Sequence, residues 1–187
     1  MNKKTLSIIL AGVLVICGAG AFFYLKMNNK LSAPPTAGSP TGGEGAGGNM
    51  LIIETPYGNV ECELYPQDAP KTVARIKELA EKGFYNGLSF HRVVPGFVVQ
   101  GGDPRGDGTG GSGQNLPAEF SARQHMEGTL AMARAQDPNS ADSQFYISLG
   151  RHPHLDRSYT VFGQVKKGMD AVKKIKQGDK MLKVRTK

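Results

Sequence analysis

Phe90-His91-Arg92-Val93-Val94-Pro95-Gly96-Phe97-Val98-Val99-Gln100-Gly101-Gly102-Asp103 is the stretch on which the reading of this chain turns. Two strand-prone runs, Leu88–Val94 and Phe97–Gln100, flank Pro95-Gly96. Side chains alternate across a strand, so Phe90 and Arg92 share a face and Val98 and Gln100 share one. Gln144 and Tyr146, in a later run, share a face in the same way. Several strands can therefore present Arg, Gln and aromatic groups to one shallow surface. Parity alone leaves two readings open, a convergent site or ordinary barrel-surface residues.

Outward from this stretch the chain is rich in short strands. Leu51–Thr55 and Val60–Leu64 are separated by Pro56-Tyr57-Gly58-Asn59, the turn chemistry of a hairpin. Pro70 opens a helix with Val73, Ile76, Leu79 and Ala80 on one face, and Gly83 ends it. Further strands are expected at Leu88–Val94, Phe97–Gln100, Thr129–Ala133, Ser143–Leu149 and Tyr159–Val165, with a second helix at Met169–Gln177. A closing strand at the carboxyl end must be short or formed by Met181–Arg185. Many short strands with two helices predict a mainly β fold, a closed antiparallel barrel.

The chain has 187 residues and a formal net charge of +7, unevenly spread. Lys166–Lys187 carries nine Lys or Arg against Asp170 and Asp179, which leaves residues 50–165 net negative. A basic body that tracks phosphates is excluded, so no nucleic-acid partner is expected. Cys17 and Cys62 are too few for a disulfide framework or a thiolate metal site; Cys62 alternates with Glu61 and Glu63 and points inward as a small hydrophobe.

Residues 50–187 form the folding unit, and what precedes them reads as an address. After Lys3 and Lys4, Leu6–Leu25 is uncharged for twenty residues, enough for a helix of about 30 Å, the thickness of a bilayer's hydrocarbon. Residues 1–27 are therefore read as a signal anchor, with cleavage near Ala19-Gly20-Ala21 as the competing reading. The charges flanking the segment place the domain outside the cytoplasm, on the periplasmic side, in either case. Residues 28–49, in which nine of the sixteen residues from Ala33 to Gly48 are Gly or Pro, make a flexible tether.

Several short motifs carry less than they promise. Gly106, Gly108 and Gly111 formally satisfy a Gly-x-Gly-x-x-Gly pattern, but no helix pattern follows and a surface loop is expected. Arg105-Gly106-Asp107 matches an adhesion tripeptide that arises often by chance. His152-Pro153-His154 lacks the companions of a metal site, so no metal and no cofactor are expected. No Gly-x-Ser-x-Gly elbow points to a hydrolase.

The opening stretch resembles the main signature of the cyclophilin family of peptidyl-prolyl isomerases. Gly108-Thr109-Gly110-Gly111, Leu130-Ala131-Met132-Ala133-Arg134-Ala135, Ser143-Gln144-Phe145-Tyr146-Ile147 and Val161-Phe162-Gly163-Gln164-Val165 follow in that family's order. The resemblance implies a closed eight-stranded antiparallel β-barrel capped by two α-helices, a cofactor-free site on its outer face, and X-Pro peptides as substrates. It matches Arg92 to the catalytic arginine and Gln100 to the glutamine beside it. Phe97, Val98 and Leu155 match the wall of a proline pocket, with Ala133, Ala135, Gln144, Tyr146, His154 and Tyr159 around it and Arg134 holding the peptide through its backbone. This sequence departs from the family at Tyr146, where Phe is usual, at Val98, at His154, where the best-known members have Trp, and at Tyr159. The implied function is isomerisation of X-Pro bonds by a membrane-tethered monomer that assists folding of exported proteins. The alternative is a proline-peptide-binding chaperone with weak catalysis, motivated by the Tyr146 hydroxyl.

Overall fold

In the computed structural model, which describes residues 48–187, the chain opens with β1 (Met50–Thr55), β2 (Gly58–Leu64) and α1 (Pro70–Glu81). It continues through β3 (Arg92–Val94), β4 (Val98–Gly101), β5 (Thr129–Met132) and β6 (Phe145–Ser148) to a 3-10 turn at Pro153–Leu155. β7 (Val161–Lys167), α2 (Met169–Val172) and β8 (Lys183–Thr186) complete it. The expected signal anchor and nearly all of the tether lie outside the described residues. Among the described residues no helix is long and apolar enough to cross a membrane.

All strand pairs are antiparallel, in the order β3-β4-β6-β5-β7-β2-β1-β8. The closed barrel expected from the sequence is corrected here, because the sheet is curled but its ladder is open, with β3 and β8 at its ends. Irregular backbone stitches the seam: Gly87 N–H donates to the Met181 carbonyl at 2.7 Å, Met181 N–H to Leu88 at 2.9 Å, and Phe90 N–H to Asp179 at 2.8 Å. Only Ser89 and Lys180 form a β-bridge there. This pairing is why the expected strand from Leu88 shrinks to Arg92–Val94.

The same seam shortens α2, expected to reach Gln177. Lys176 N–H is taken by the Asp179 carboxylate at 2.8 Å and Gly178 N–H by the Phe90 carbonyl at 3.0 Å, so neither amide extends the helix. Gly178 makes the turn at φ +95°, a conformation a side chain would strain. α1 behaves as its pattern predicts, burying Val73, Ile76, Leu79 and Ala80. Its first turn has no local cap; Glu119 supplies one from a distant loop, accepting from the N–H groups of Lys71 at 3.0 Å and Thr72 at 2.9 Å.

Alternation gives the sheet two apolar faces. Leu51, Ile53, Val60, Cys62, Leu64, Leu130, Met132, Phe145, Ile147 and Phe162 fill the inner core with α1. Burial pushes the Cys62 thiol pKa up, which keeps it inert. A second, smaller cluster forms on the outer face from Val98, Ala131, Tyr146, Leu155 and Val161. A sheet so covered on both sides explains why every residue of β5 and β6 is buried.

Candidate active site

The outer cluster lies under a cleft of 160 Å³, whose walls are Arg92, Phe97, Val98, Leu155, Tyr146 and Tyr159 and whose rim is Ala133 and Arg134. β3 and β4 set its first side: their register puts Arg92 opposite Gln100, and that of β4 and β6 puts Gln100 opposite Tyr146. Strand parity thus does converge Arg92, Gln100 and Tyr146, whereas Phe90, expected on the face of Arg92, lies in the inner core because β3 begins only at Arg92. Val98, Tyr146 and Leu155 are buried, Phe97 and Tyr159 half-buried, and Arg92 is exposed.

Arg92 is held by two contacts. Its Nη1 donates to Gln100 Oε1 at 3.2 Å, and its guanidinium carbon lies 5.6 Å from the Phe97 ring centroid, within cation–π range. Gln100 is itself fixed, because its Nε2 donates to Gln144 Oε1 at 3.0 Å and Gln144 Nε2 donates to the carbonyls of Gly108 at 3.0 Å and Gly110 at 2.8 Å. Among the described residues neither Arg92 nor Arg134 has a carboxylate partner within ion-pair distance. The cleft is therefore an apolar hollow beside an uncompensated, oriented cation.

A second hollow of 290 Å³ adjoins it across Ala133 and Arg134 and takes in Gln100, Ala135, Gln144 and the loop around Gly110. Arg134 forms the ridge between the two. It donates from Nε and Nη2 to the Ser158 carbonyl and from Nη1 to those of Ala135 and Gln136, and it stacks 4.7 Å from the Tyr159 ring centroid.

The Gly-rich loop is organised by two carboxylates. Asp103, 1% exposed, accepts N–H bonds from Arg105 at 2.8 Å, Asp107 at 3.1 Å and Gly108 at 2.6 Å. Asp142 accepts from Ser112, Gly113 and Gln114. The amides that a phosphate cradle would use are thus turned onto the protein's own acids. At Gly102 the chain passes so close to the Ser143 carbonyl that no side chain fits there.

Two sequence expectations change on inspection of the side chains. The Tyr146 hydroxyl does not stand in the hollow, since it pairs with His125 Nε2 at 3.0 Å. His154 does not line the cleft either; it is exposed and stacks on Phe97 with centroids 6.0 Å apart. Its neighbour His152 is buried, and its Nε2–H donates to the Phe97 carbonyl at 2.9 Å.

Sequence reasoning passed over His125, Asp156 and Arg151, which back the cleft. His125 is fully buried, its backbone N–H and Nδ1 both meeting Asp156 Oδ1, while Arg151 pairs with both Asp156 oxygens. That arginine holds the Asp156 carboxyl down to about 2. The one available signal was Tyr146, because a phenol buried in an apolar site needs a hydrogen-bond partner.

Residues 50–187 match the model of the cyclophilin type peptidyl-prolyl cis-trans isomerase family. The chain is 50% identical over 142 residues to a probable peptidyl-prolyl cis-trans isomerase of Brucella suis, covering 70% of this chain and 72% of that protein. It is 44% identical over 138 residues to a peptidyl-prolyl cis-trans isomerase of Synechococcus elongatus, covering 73% and 94%. Among solved structures, it resembles a cyclophilin type isomerase of Cryptosporidium parvum determined in the presence of the dipeptide Ala-Pro. The TM-score is 0.69 with 28% identity, over 74% of this chain and 98% of that one.

Proposed function

The chain belongs to the cyclophilin-type peptidyl-prolyl cis-trans isomerase family, and from that premise we propose that the 160 Å³ cleft takes the prolyl ring of an X-Pro peptide, with Arg92 as its catalytic residue. The protein is a peptidyl-prolyl cis-trans isomerase. Rotation about a peptide bond is slow because the nitrogen lone pair is shared with the carbonyl, at a barrier of ~18–20 kcal/mol. No bond to carbon need break, so no acid, base or nucleophile is required. The barrier falls if the lone pair is drawn out of conjugation.

Arg92 is suited to that task. It stays charged, and only one of its five N–H bonds is used by Gln100. A donor aimed at the prolyl nitrogen gains strength only as that nitrogen turns pyramidal, so it stabilises the twisted state over both planar ones. The chain of amides through Gln100 and Gln144 to the Gly108–Gly110 carbonyls fixes the guanidinium before the peptide arrives. Val98, Tyr146 and Leu155 exclude water that would compete for it. The observation that carries this reading is a guanidinium that has no carboxylate partner among the described residues and stands beside an apolar hollow.

Backbone resonances followed during titration with an Ala-Pro peptide test the placement. Shifts should concentrate at Phe97, Val98, Ala133, Tyr146 and Leu155. A footprint centred instead on the hollow between Tyr65 and Arg123 would overturn it.

The setting is part of the proposal. Residues 1–27 act as a signal anchor and 28–49 as a tether, so that the domain works on exported proteins outside the cytoplasm. The uncharged run Leu6–Leu25 and the flanking lysines support this. The full chain should sediment with membranes, and protease outside the cytoplasmic membrane should release a fragment cut between Ala33 and Gly48. A mature amino terminus at Phe22 would refute the anchor.

A further inference from the structure

Behind the cleft lies a buried polar cluster that the rotation step leaves unused. His125 Nδ1 sits 3.1 Å and its backbone N 2.8 Å from Asp156 Oδ1, and its Nε2 sits 3.0 Å from the Tyr146 hydroxyl. An ionised carboxylate can only accept, so Nδ1 carries the imidazole's hydrogen and Nε2 is left as an acceptor. The Tyr146 hydroxyl must then donate inward, to Nε2. The cleft meets the ring and not the proton.

His125 also reaches the opposite wall. Its carbonyl accepts the His152 N–H at 2.9 Å, and His152 in turn donates to the Phe97 carbonyl and packs edge-on to that ring at 4.8 Å. Asp156 directly follows Leu155 in the chain. One buried histidine is thus tied, through its ring and its backbone carbonyl, to three walls of the cleft.

We infer that His125, oriented by Asp156 and Arg151, is a positioning residue for the isomerase, fixing the Tyr146 hydroxyl inward so that the proline cleft keeps an apolar floor. This rests on the assignment of the cleft above. Protonation undoes the arrangement: an imidazolium has two donors, Nε2–H points at the Tyr146 oxygen, and the phenolic hydrogen must turn elsewhere. Val98, Ala131 and Leu155 offer that hydrogen no side-chain acceptor, so it turns toward the cleft. The groups facing His125 are Asp156, Arg151, His152, Tyr146 and Tyr159, the last edge-on at 6.5 Å. Burial lowers the His125 pKa below 6.5, with the Asp156 carboxylate opposing, so the change falls on the acid side of that value.

The test is the pH dependence of kcat/KM for an Ala-Pro peptide from about pH 5 to 8 on the full chain, with the fold followed by near-ultraviolet circular dichroism. The parent should lose activity on the acid side while its fold persists. In Tyr146→Phe, scaled to its own plateau, that acid limb should vanish, because no hydroxyl remains to be turned. His125→Gln should also flatten the profile and raise KM roughly threefold to tenfold, the worth of one buried hydrogen bond. A parent profile flat across the range would overturn the inference. So would an acid limb retained in Tyr146→Phe, which would show that the loss of activity does not pass through the Tyr146 hydroxyl. Arg92→Ala, assayed in parallel, separates the two levels: parental activity there would overturn the site assignment itself, whatever the profiles show.

Discussion

Replacing Asp103 with Asn changes one atom of a side chain that lines neither hollow of the site, and it should weaken both the fold and the reaction. The Asp103 carboxylate takes three backbone N–H bonds, from Arg105 on one oxygen and from Asp107 and Gly108 on the other. An asparagine keeps its single oxygen where two donors converge and turns an NH₂ toward the Arg105 N–H. Three bonds to an ionised acceptor, ~1.5–3 kcal/mol each, become two neutral ones at ~0.5–1.5. The loop from Arg105 to Thr109 is exposed, so water recovers part of the difference, leaving about 2–4 kcal/mol. For a domain of this size that lowers Tm by on the order of 10 °C. The same loop carries the Gly108 and Gly110 carbonyls that anchor Gln144, and through it Gln100 and Arg92. Misplacing the guanidinium should cost roughly tenfold to a hundredfold in kcat/KM, read by exchange of an Ala-Pro peptide. Burial alone would raise the Asp103 pKa, but the N–H groups of Arg105, Gly108, Gly110 and Gly106 outweigh it and hold the folded value below 3.8. Its stabilisation is present above the unfolded pKa and is lost as pH falls through the folded value, so the gap between parent and variant should close in acid. A variant that melts with the parent and isomerises at its rate would refute the account of how Arg92 is held.

Arg92→Ala should lower kcat/KM by roughly 30- to 1,000-fold, or ~2–4 kcal/mol of transition-state stabilisation, with little change in Tm because the side chain is exposed; parental activity would remove Arg92 from the mechanism. Glu119→Ala should destabilise by about 1–2 kcal/mol, since it uncaps the first turn of α1, and thermal melting that finds no change would show that water caps the helix as well. Cyclosporin, which the cyclophilin resemblance brings with it, should inhibit weakly, because His154 offers the exposed rim less apolar area than Trp. His154→Trp should regain roughly tenfold or more in affinity, and tight inhibition of the parent with no gain would show that this rim contact is misassigned.

How much of this was legible beforehand follows the range of each signal. β1, β2 and α1 are local, written in alternation, in a Pro-Gly turn and in a helical face bounded by Pro70 and Gly83, and their limits differ from expectation by one or two residues. The failures sit where distant segments meet. Nothing in Leu88–His91 announces that Asp179 will take the Phe90 amide or that Met181 will donate to the Leu88 carbonyl, so its local pattern predicts too long a strand and a closed barrel. At the site, parity brought Arg92, Gln100 and Tyr146 to one face, because register preserves parity. His125 and Asp156 lie 21 and 10 residues from Tyr146 on irregular segments, where no period relates them. The direction of one hydroxyl, which decides whether the hollow is apolar, follows only from where those two side chains lie in space.

The first strand of this domain is bordered on one side by its last, with Leu51 opposite Thr186 and Ile53 opposite Val184. On a ribosome adding about 5–20 residues per second, β1 emerges roughly seven to twenty-seven seconds before the segment that covers its edge. The seam has the same dependence, for Gly87 waits on Met181. A peptidyl-prolyl isomerase is thus itself a fold that cannot finish early. Until its final residues arrive it carries an unpaired, strongly apolar edge at Leu51–Ile53, the state in which a nascent chain most needs shielding.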